Sequence, residues 1–527
     1  MPDQHVLSDL GAEPAQHGAP KPARAPHLRE DEVRRCDPED LRAEATALVV
    51  GPATPRGQRS VRLCDRHIAS ASKGSDEEYG NGSYDFATRN RVNSYRQLLR
   101  ASVNWGCVLT TTELAPCSLQ DKSRVHSVMP GQILIFVAAA ASAIQGANVT
   151  VTALSLICLL IAPAWFLMSH RGIDVLPLLL AALGWISFLA SCLVNDVSVL
   201  WPNALAPAAF GLYFIGLTVI TRRAVDSIAV VLAGLAVGAI VFFVTEGIEL
   251  THTGRFADTW KYGIAAAVTI VLVFGLTILR APRLVIPVAL LALGLASLGL
   301  NYRAHALVCF LAAGTLLIDH IFGSRLRRGW QFAGLIMIGV AFAYVMPMVA
   351  RTGLFGSALQ RKTIEQDAFN VPLLLAGRTE PPMSITAILE HPLLGWGSAM
   401  NLTPDVYTRA QHLATRLGFD PTFPFDVYWE LPPTNYSAMH SILLGSWAEG
   451  GVLAVLLPAA LLVACLGIVW NFTRLGRWAP LGVTVALQGI WDIMYGPWLY
   501  NMIPTFVCIA LLFSATHFRG RSVRSDS

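Results

Sequence analysis

Charge is scarce in this chain. Asp, Glu, Lys and Arg make up 14% of its 527 residues, while 54% are hydrophobic. That balance excludes an ordinary soluble globule and a wholly disordered chain, and it places the sequence in the polytopic helical membrane class. The net charge of +4 is too small to mark a nucleic-acid surface, so no nucleic-acid partner is expected. Metal-type cysteine spacing is missing: the nine cysteines form no CxxC pair. Cys36, Cys64, Cys107 and Cys117 lie near the N-terminus, and Cys158, Cys192, Cys309, Cys465 and Cys508 lie in apolar runs, where they read as small buried hydrophobes. Neither a DxD-like motif nor a carboxylate cluster calls for a metal, and no cofactor is implied. No secretory-type signal opens the chain.

Residues 1–128 are polar, rich in Arg, Asp, Glu, Ser and Pro, and show no sustained apolar period. They read as a disordered cytoplasmic tail, or as an over-extended start ahead of Met129. From Gln132 onward, apolar runs follow at roughly 131–145, 149–169, 173–194, 204–221, 226–246, 261–280, 283–300, 304–322, 330–350, 449–470, 478–495 and 498–517. Most approach the ~20 residues a helix needs to cross a ~30 Å hydrocarbon core. The expected fold is therefore an all-α polytopic membrane protein. It has about twelve transmembrane helices, nine in 129–350 and three in 449–517, a large external loop (351–448) between helices nine and ten, and a cytoplasmic tail at 518–527.

Arginine placement sets the orientation. One set of short connections holds Arg171, Arg222, Arg223, Arg280, Arg283, Arg325, Arg327, Arg328, Arg474 and Arg477, and the C-terminal tail adds Arg519, Arg521 and Arg524. The alternate connections hold only Arg255, Lys261 and Arg303. Both termini are thus expected in the cytoplasm and the long loop outside. Arg303, in LGLNYRAHAL, sits between two apolar runs with almost no loop. It reads either as a snorkelling interfacial side chain or as an intramembrane charge kept for function. Arg255 and Lys261, in the polar hairpin THTGRFADTWKYG, read as interfacial anchors or as parts of the same site.

The long loop interrupts the apolar pattern, and such loops tend to be functional. SITAILEH (384–391) has the period of a short amphipathic helix with Ile385, Ile388 and Leu389 on one face, ended by Pro392 and the Gly395-Trp396-Gly397 turn. DVYTRAQHLATRLG (405–418) reads as a second helix, with Asp405 as a cap and Gly418 closing it. FPFDVYWELPPTNY suits the membrane surface or stacking on sugars. In NYSAMHSILLGSWAEGG, a helix entering the membrane edge is expected to carry Tyr436, His440, Leu443, Leu444 and Trp447 on one face, with Glu449, Gly450 and Gly451 bending it. His440 alone reads either as a hydrogen-bonded structural residue or as a catalyst.

Arg378 in GRTEPPMSITAILEHPLLGWGSAM, the EHPLLGWG segment (390–397), His440 and the AEGG segment (448–451) together resemble the signature of the O-antigen ligase and O-antigen polymerase superfamily, with weaker echoes at NYRAHA and GRFADTWKYG. The architectural likeness covers about 130–517. The resemblance implies a bacterial cytoplasmic-membrane glycosyltransferase for cell-surface polysaccharide. Its donor would be a polyprenyl-diphosphate-linked glycan and its acceptor a glycan or lipid, with the lipid bilayer and polysaccharide-assembly proteins as partners. It implies that Arg378 and Arg303, with Arg255 and Lys261, bind the donor diphosphate. It also implies that His440 takes the proton of the attacking hydroxyl or orients that hydroxyl. Arginine's bidentate fork suits a developing diphosphate charge, and histidine suits general-base work near neutral pH.

The sequence departs from that family in places. Tyr302 stands where the family commonly has Ser before the arginine, Ser441 where it has Asn after the histidine, and Trp260-Lys261-Tyr262 where it often has Asn-Pro. Three other readings stay open on sequence: a lipid-linked glycan transporter or flippase, for which Asp492 would be the best intramembrane carboxylate, a peptidoglycan-polymerising transferase, and a non-catalytic scaffold.

Overall fold

A computed structural model describes residues 130–145, 151–168, 172–248, 254–323, 327–368, 371, 375, 378–429 and 439–522. The expected N-terminal tail, Arg171, Arg325, Tyr436 and Arg524 lie outside the described residues. Among the described residues the chain is all-helical, with one isolated bridge between Gln145 and Thr152 as its β pairing.

The first block comprises α1 (Pro130–Ala140), α2 (Ala153–Ile161), α3 (Gly172–Val194), α4 (Pro202–Thr221) and α5 (Val225–Glu246). Next, α6 (Arg255–Thr259) runs through a π segment (Trp260–Ile264) into α7 (Ala265–Ile278). Then come α8 (Val285–Gly299), α9 (Arg303–Phe322) and α10 (Arg328–Arg351). The polar stretch holds α11 (Ser357–Ala368), α12 (Pro381–Glu390), α13 (Pro404–Arg416), α14 (Phe425–Tyr428) and α15 (Ile442–Gly450). The chain finishes with α16 (Leu456–Asn471), α17 (Ala479–Tyr495) and α18 (Ile503–Ser522).

Every apolar run read from the sequence contains a helix among its described residues, but the helices differ in reach. Among the described residues, seven stretches are long and apolar enough to cross a membrane: Val175–Val194, Pro202–Thr221, Val225–Glu246, Arg255–Ile278, Arg303–Phe322, Arg328–Arg351 and Leu456–Tyr495. The last is 40 residues long and holds two of the expected runs, joined where Gly476 leaves helical backbone (φ 61°, ψ −127°). Pro130–Ala143, Ala153–Leu167, Val285–Gly299 and Ile503–Thr516 are shorter apolar helices. Close packing relies on small residues: a Cβ on Gly234 or Gly238 of α5 would run into the α1 backbone at Phe136 or Ala140, the small-xxx-small contact expected between membrane helices.

Among the described residues, the two largest of five hydrophobic cores hold most of the helices together. The larger joins the apolar helices, with Phe210, Leu217, Ile228, Leu232, Val483 and Ile509 at its centre. The smaller belongs to the polar stretch itself and is built from Met383, Ala387, Trp396, Val406, Phe423 and Trp429, among others. Of the run FPFDVYWELPPTNY, expected at the membrane surface or stacked on sugars, Tyr428 is exposed and 430–436 lie outside the described residues. Phe423, Phe425 and Trp429 are buried, because burying aromatic area is what gives so polar a segment a core at all.

Other expectations are corrected locally. The buried face of α12 is Met383, Ser384, Ala387 and Ile388, whereas Ile385 and Leu389 are exposed. Small Ala387 and Ser384 let the helix approach the loop core closely, which bulkier residues would prevent. The N-cap of α13 is Thr403, not Asp405, because Pro404 takes the first helical position that its fixed φ favours. Gly418 does close α13: at φ 102° it donates to Thr415, and Phe419 donates to Ala414 in a Schellman arrangement. The expected span from 449 begins at Leu456, since Gly450 ends α15 and Gly451 (φ 81°) turns the chain. The expected polar hairpin at 251–263 is helical from Arg255 on.

Candidate functional site

The site begins at the tight turn between α8 and α9. Asn301 adopts left-handed backbone (φ 56°), and Asn301 and Tyr302 donate to Leu298 O and Ser297 O, closing α8 as a Schellman turn. Asn tolerates this conformation better than most residues. The turn leaves no loop, so Arg303 becomes the first residue of α9. A buried polar chain fixes its surroundings. Trp260 Nε1 donates to Ser297 Oγ (3.1 Å), Ser297 Oγ meets His305 Nδ1 (2.9 Å), and His305 Nε2 meets Thr269 Oγ1 (3.0 Å). This chain ties the π segment to the starts of α7 and α9. π segments recur at functional sites because they re-aim side chains; here the segment carries Lys261, whose ammonium donates to Tyr262 OH at 2.6 Å.

Helix α11 closes over this end. Leu359 packs with Leu298, Ala306, Met346 and Ala350. Arg351 and Asp367 pair at 2.7 Å, and Arg303 Nη2 donates to Gln366 Oε1 at 2.8 Å. Lys362 lies one turn before Gln366. Its side chain keeps an exposed surface although protein surrounds much of it. Burial, then the neighbouring charges of Lys261, Arg303 and Arg378, push its ammonium down to about 8.

Arg378 and Glu380 arrive on a stretch held by the loop core, where Trp429 Nε1 donates to Thr379 O at 3.0 Å. Pro381 at the first position of α12 fixes the turn after Glu380. His440 lies outside any helix, contrary to the expectation from sequence, because α15 starts only at Ile442. It precedes Ser441, which is the N-cap of α15 and accepts from Leu444 N. His440 Nδ1 lies 2.9 Å from Glu380 Oε1. Burial alone would raise the Glu380 carboxyl. The hydrogen bond and charge of His440, with the charge of Arg378, outweigh it and hold the carboxyl below its ordinary range. Glu380 Oε2 is buried with no hydrogen-bond partner among the described residues.

Segments 390–397 and 448–451 bind each other. Trp396 N and Gly397 N donate to Ala448 O (2.9 Å) and Glu449 O (2.8 Å), and Val452 N donates to Leu393 O (3.2 Å). Ser187 and Ser191 of α3 donate to Gly450 O and Glu449 O. The Glu449 carboxylate accepts from Asn203 Nδ2 (2.6 Å), Trp201 Nε1 (3.1 Å) and Ala399 N (3.1 Å). This clasp fixes the helix behind His440 to α3, α4 and the loop.

Four of the five expected site residues thus form one neighbourhood. Lys362 lies within electrostatic reach of Lys261, Arg303 and Arg378, and Glu380 within reach of Arg378 and His440. Arg255 is not among them; its exposed guanidinium packs over Gly247 at the end of α5. Tyr302 feels the charges of Arg378 and Asp492. Sequence reasoning missed Glu380, Lys362 and His305 as contributors. Only His305 had a local signal, a second polar residue two positions after Arg303 inside an apolar run. No protein-family model matches this chain, and no curated protein matches it.

Proposed function

We propose that this protein is a membrane glycosyltransferase of the O-antigen ligase and polymerase type. It moves or polymerises a polyprenyl-diphosphate-linked glycan at the outer face of a bacterial cytoplasmic membrane, with twelve spans and both termini inside. The observation that carries the reading is the juxtaposition of a cation cluster (Lys261, Arg303, Arg378) with a histidine held against a carboxylate. Lys261 and Arg303 sit near the starts of apolar helices, where the phosphate of a lipid-linked donor would lie.

In this reading Arg303 and Arg378 hold the diphosphate, and Lys261 supports them. Glu380 stays ionised and keeps Nδ1 of His440 engaged, leaving Nε2 to face the acceptor. The acceptor hydroxyl oxygen attacks the anomeric carbon while Nε2 takes its proton. The bond from that carbon to the diphosphate oxygen breaks, and its electron pair leaves with the polyprenyl diphosphate. The anomeric configuration inverts. The arginines stabilise the charge that grows on the leaving group, and the general base is worth ~10²–10⁴ in rate.

The test is a strain lacking the protein, complemented at matched membrane abundance with wild type or with His440→Ala, Arg378→Ala, Arg303→Ala or Arg255→Ala. The expected result is lost surface glycan and accumulated lipid-linked units for the first three variants, with Arg255→Ala restoring the glycan. Full rescue by the first three would overturn the assignment. Accumulation confined to the cytoplasmic leaflet in the deletion strain would replace the transferase by a flippase.

A further inference from the structure

We infer that Lys362 of α11 is a fourth cationic ligand of the donor diphosphate, placed opposite Arg303 and Arg378 to close the anion site from the loop side. The inference rests on the transferase reading. Three features carry it. First, α11 is anchored: Leu359 is buried, Gln360 Nε2 donates to Arg351 O (2.8 Å), and Asp367 pairs with Arg351. Second, Lys362 and Gln366 are four residues apart and share a helix face, and Gln366 is bonded to Arg303. Third, the charges around Lys362 are unbalanced. Lys261 from the π segment, Arg303 from α9 and Arg378 from the loop all repel it, against the attraction of Glu365 on its own helix. Of the other nearby acids, Asp367 is engaged by Arg351 and Glu380 by His440.

A lysine on a surface helix could swing into water. Here the fold holds it within a cluster of like charge, an arrangement that a multiply charged anion would relieve. Its lowered proton affinity follows from burial first and then from the same crowding, and a bound diphosphate would restore the proton.

The test uses full-length protein in nanodiscs of neutral phosphatidylcholine, with inorganic pyrophosphate as the probe in calorimetric titration. Lys362→Gln should weaken binding roughly 10- to 100-fold, the size of one lost charge-assisted contact. Lys362→Arg should bind like wild type at pH 7 and lose less affinity than wild type between pH 7.5 and 9.5, the probe's own ionisation being common to both. Arg416→Gln, an exposed arginine in the last turn of α13, should change nothing. If Lys362→Gln binds as wild type while Arg303→Gln and Arg378→Gln are weakened, the inference falls and the transferase reading stands. If none of the three weakens binding, both fall. If phosphatidylglycerol in the disc competes with the probe through Lys362, the ligand is a lipid headgroup and the assignment is overturned.

Discussion

Replacing Glu449 tests the clasp that holds α15 in place. The carboxylate accepts three hydrogen bonds, from Asn203, Trp201 and the Ala399 amide, and the residue is 1% exposed. Glu449→Ala would strand all three donors. An orphaned buried donor costs about 1–3 kcal/mol. Ala399 N is buried while Asn203 and Trp201 are half-buried and can recruit water, so the sum falls toward the low end, about 3–5 kcal/mol. Glu449 has a second property. Burial pushes its carboxyl up from 4.5 to about 7, although the three hydrogen bonds hold part of that rise back. The folded state therefore binds the proton more tightly than the unfolded state. That contribution is fully present below about pH 4.5 and is lost as pH rises through 7, on the order of 3 kcal/mol in all. The assay is thermal unfolding of the detergent-solubilised protein between pH 5 and 8. Wild type should lose stability as pH rises through 7. Glu449→Gln, which keeps one acceptor and cannot ionise, should show a flatter profile. Glu449→Ala should melt lowest at every pH. Glu380 acts with the opposite sign and at lower pH, because its carboxyl is held below its ordinary range, and the comparison with Glu449→Gln cancels it. Parallel profiles for wild type and Glu449→Gln would refute the argument.

Gly451→Ala should destabilise by at least about 1–3 kcal/mol from backbone strain alone, because φ 81°, ψ −173° is a glycine region. Its Cβ would also collide with the Leu393 carbonyl; the unfolding midpoint should fall well below that of Gly445→Ala, which has room. Ser441→Ala should cost about 1 kcal/mol as a lost N-cap while Ser441→Asn should cost little, read from the same midpoints. Glu380→Gln should lower the turnover of a purified transfer assay roughly tenfold or more, with Glu380→Asp partly restoring it and both less severe than the ~10²–10⁴ loss for His440→Ala. Equal rates for Glu380→Gln and wild type would remove Glu380 from the mechanism.

Asn and Ser are interchangeable as caps, so either residue after His440 would leave the local structure intact. Composition and periodicity alone determined that the chain is helical and suited to a membrane. They also located every apolar helix, because those properties are written residue by residue along each segment. The short turn before Arg303 and the glycine stops at Gly418 and Gly451 were equally local. Helix faces in the polar stretch were not. Period alone grouped Ile385 with Leu389, but close approach to the loop core turned α12 the other way. The clasp between 390–397 and 448–451, the Glu380–His440 contact and the approach of Lys362 to Arg303 join residues some 50–60 positions apart. No spacing rule encodes such pairs. They exist only because the core of the polar stretch and the packing of α11 on α8, α9 and α10 fold the chain back over the ends of α8 and α9, and that packing decided which charges meet.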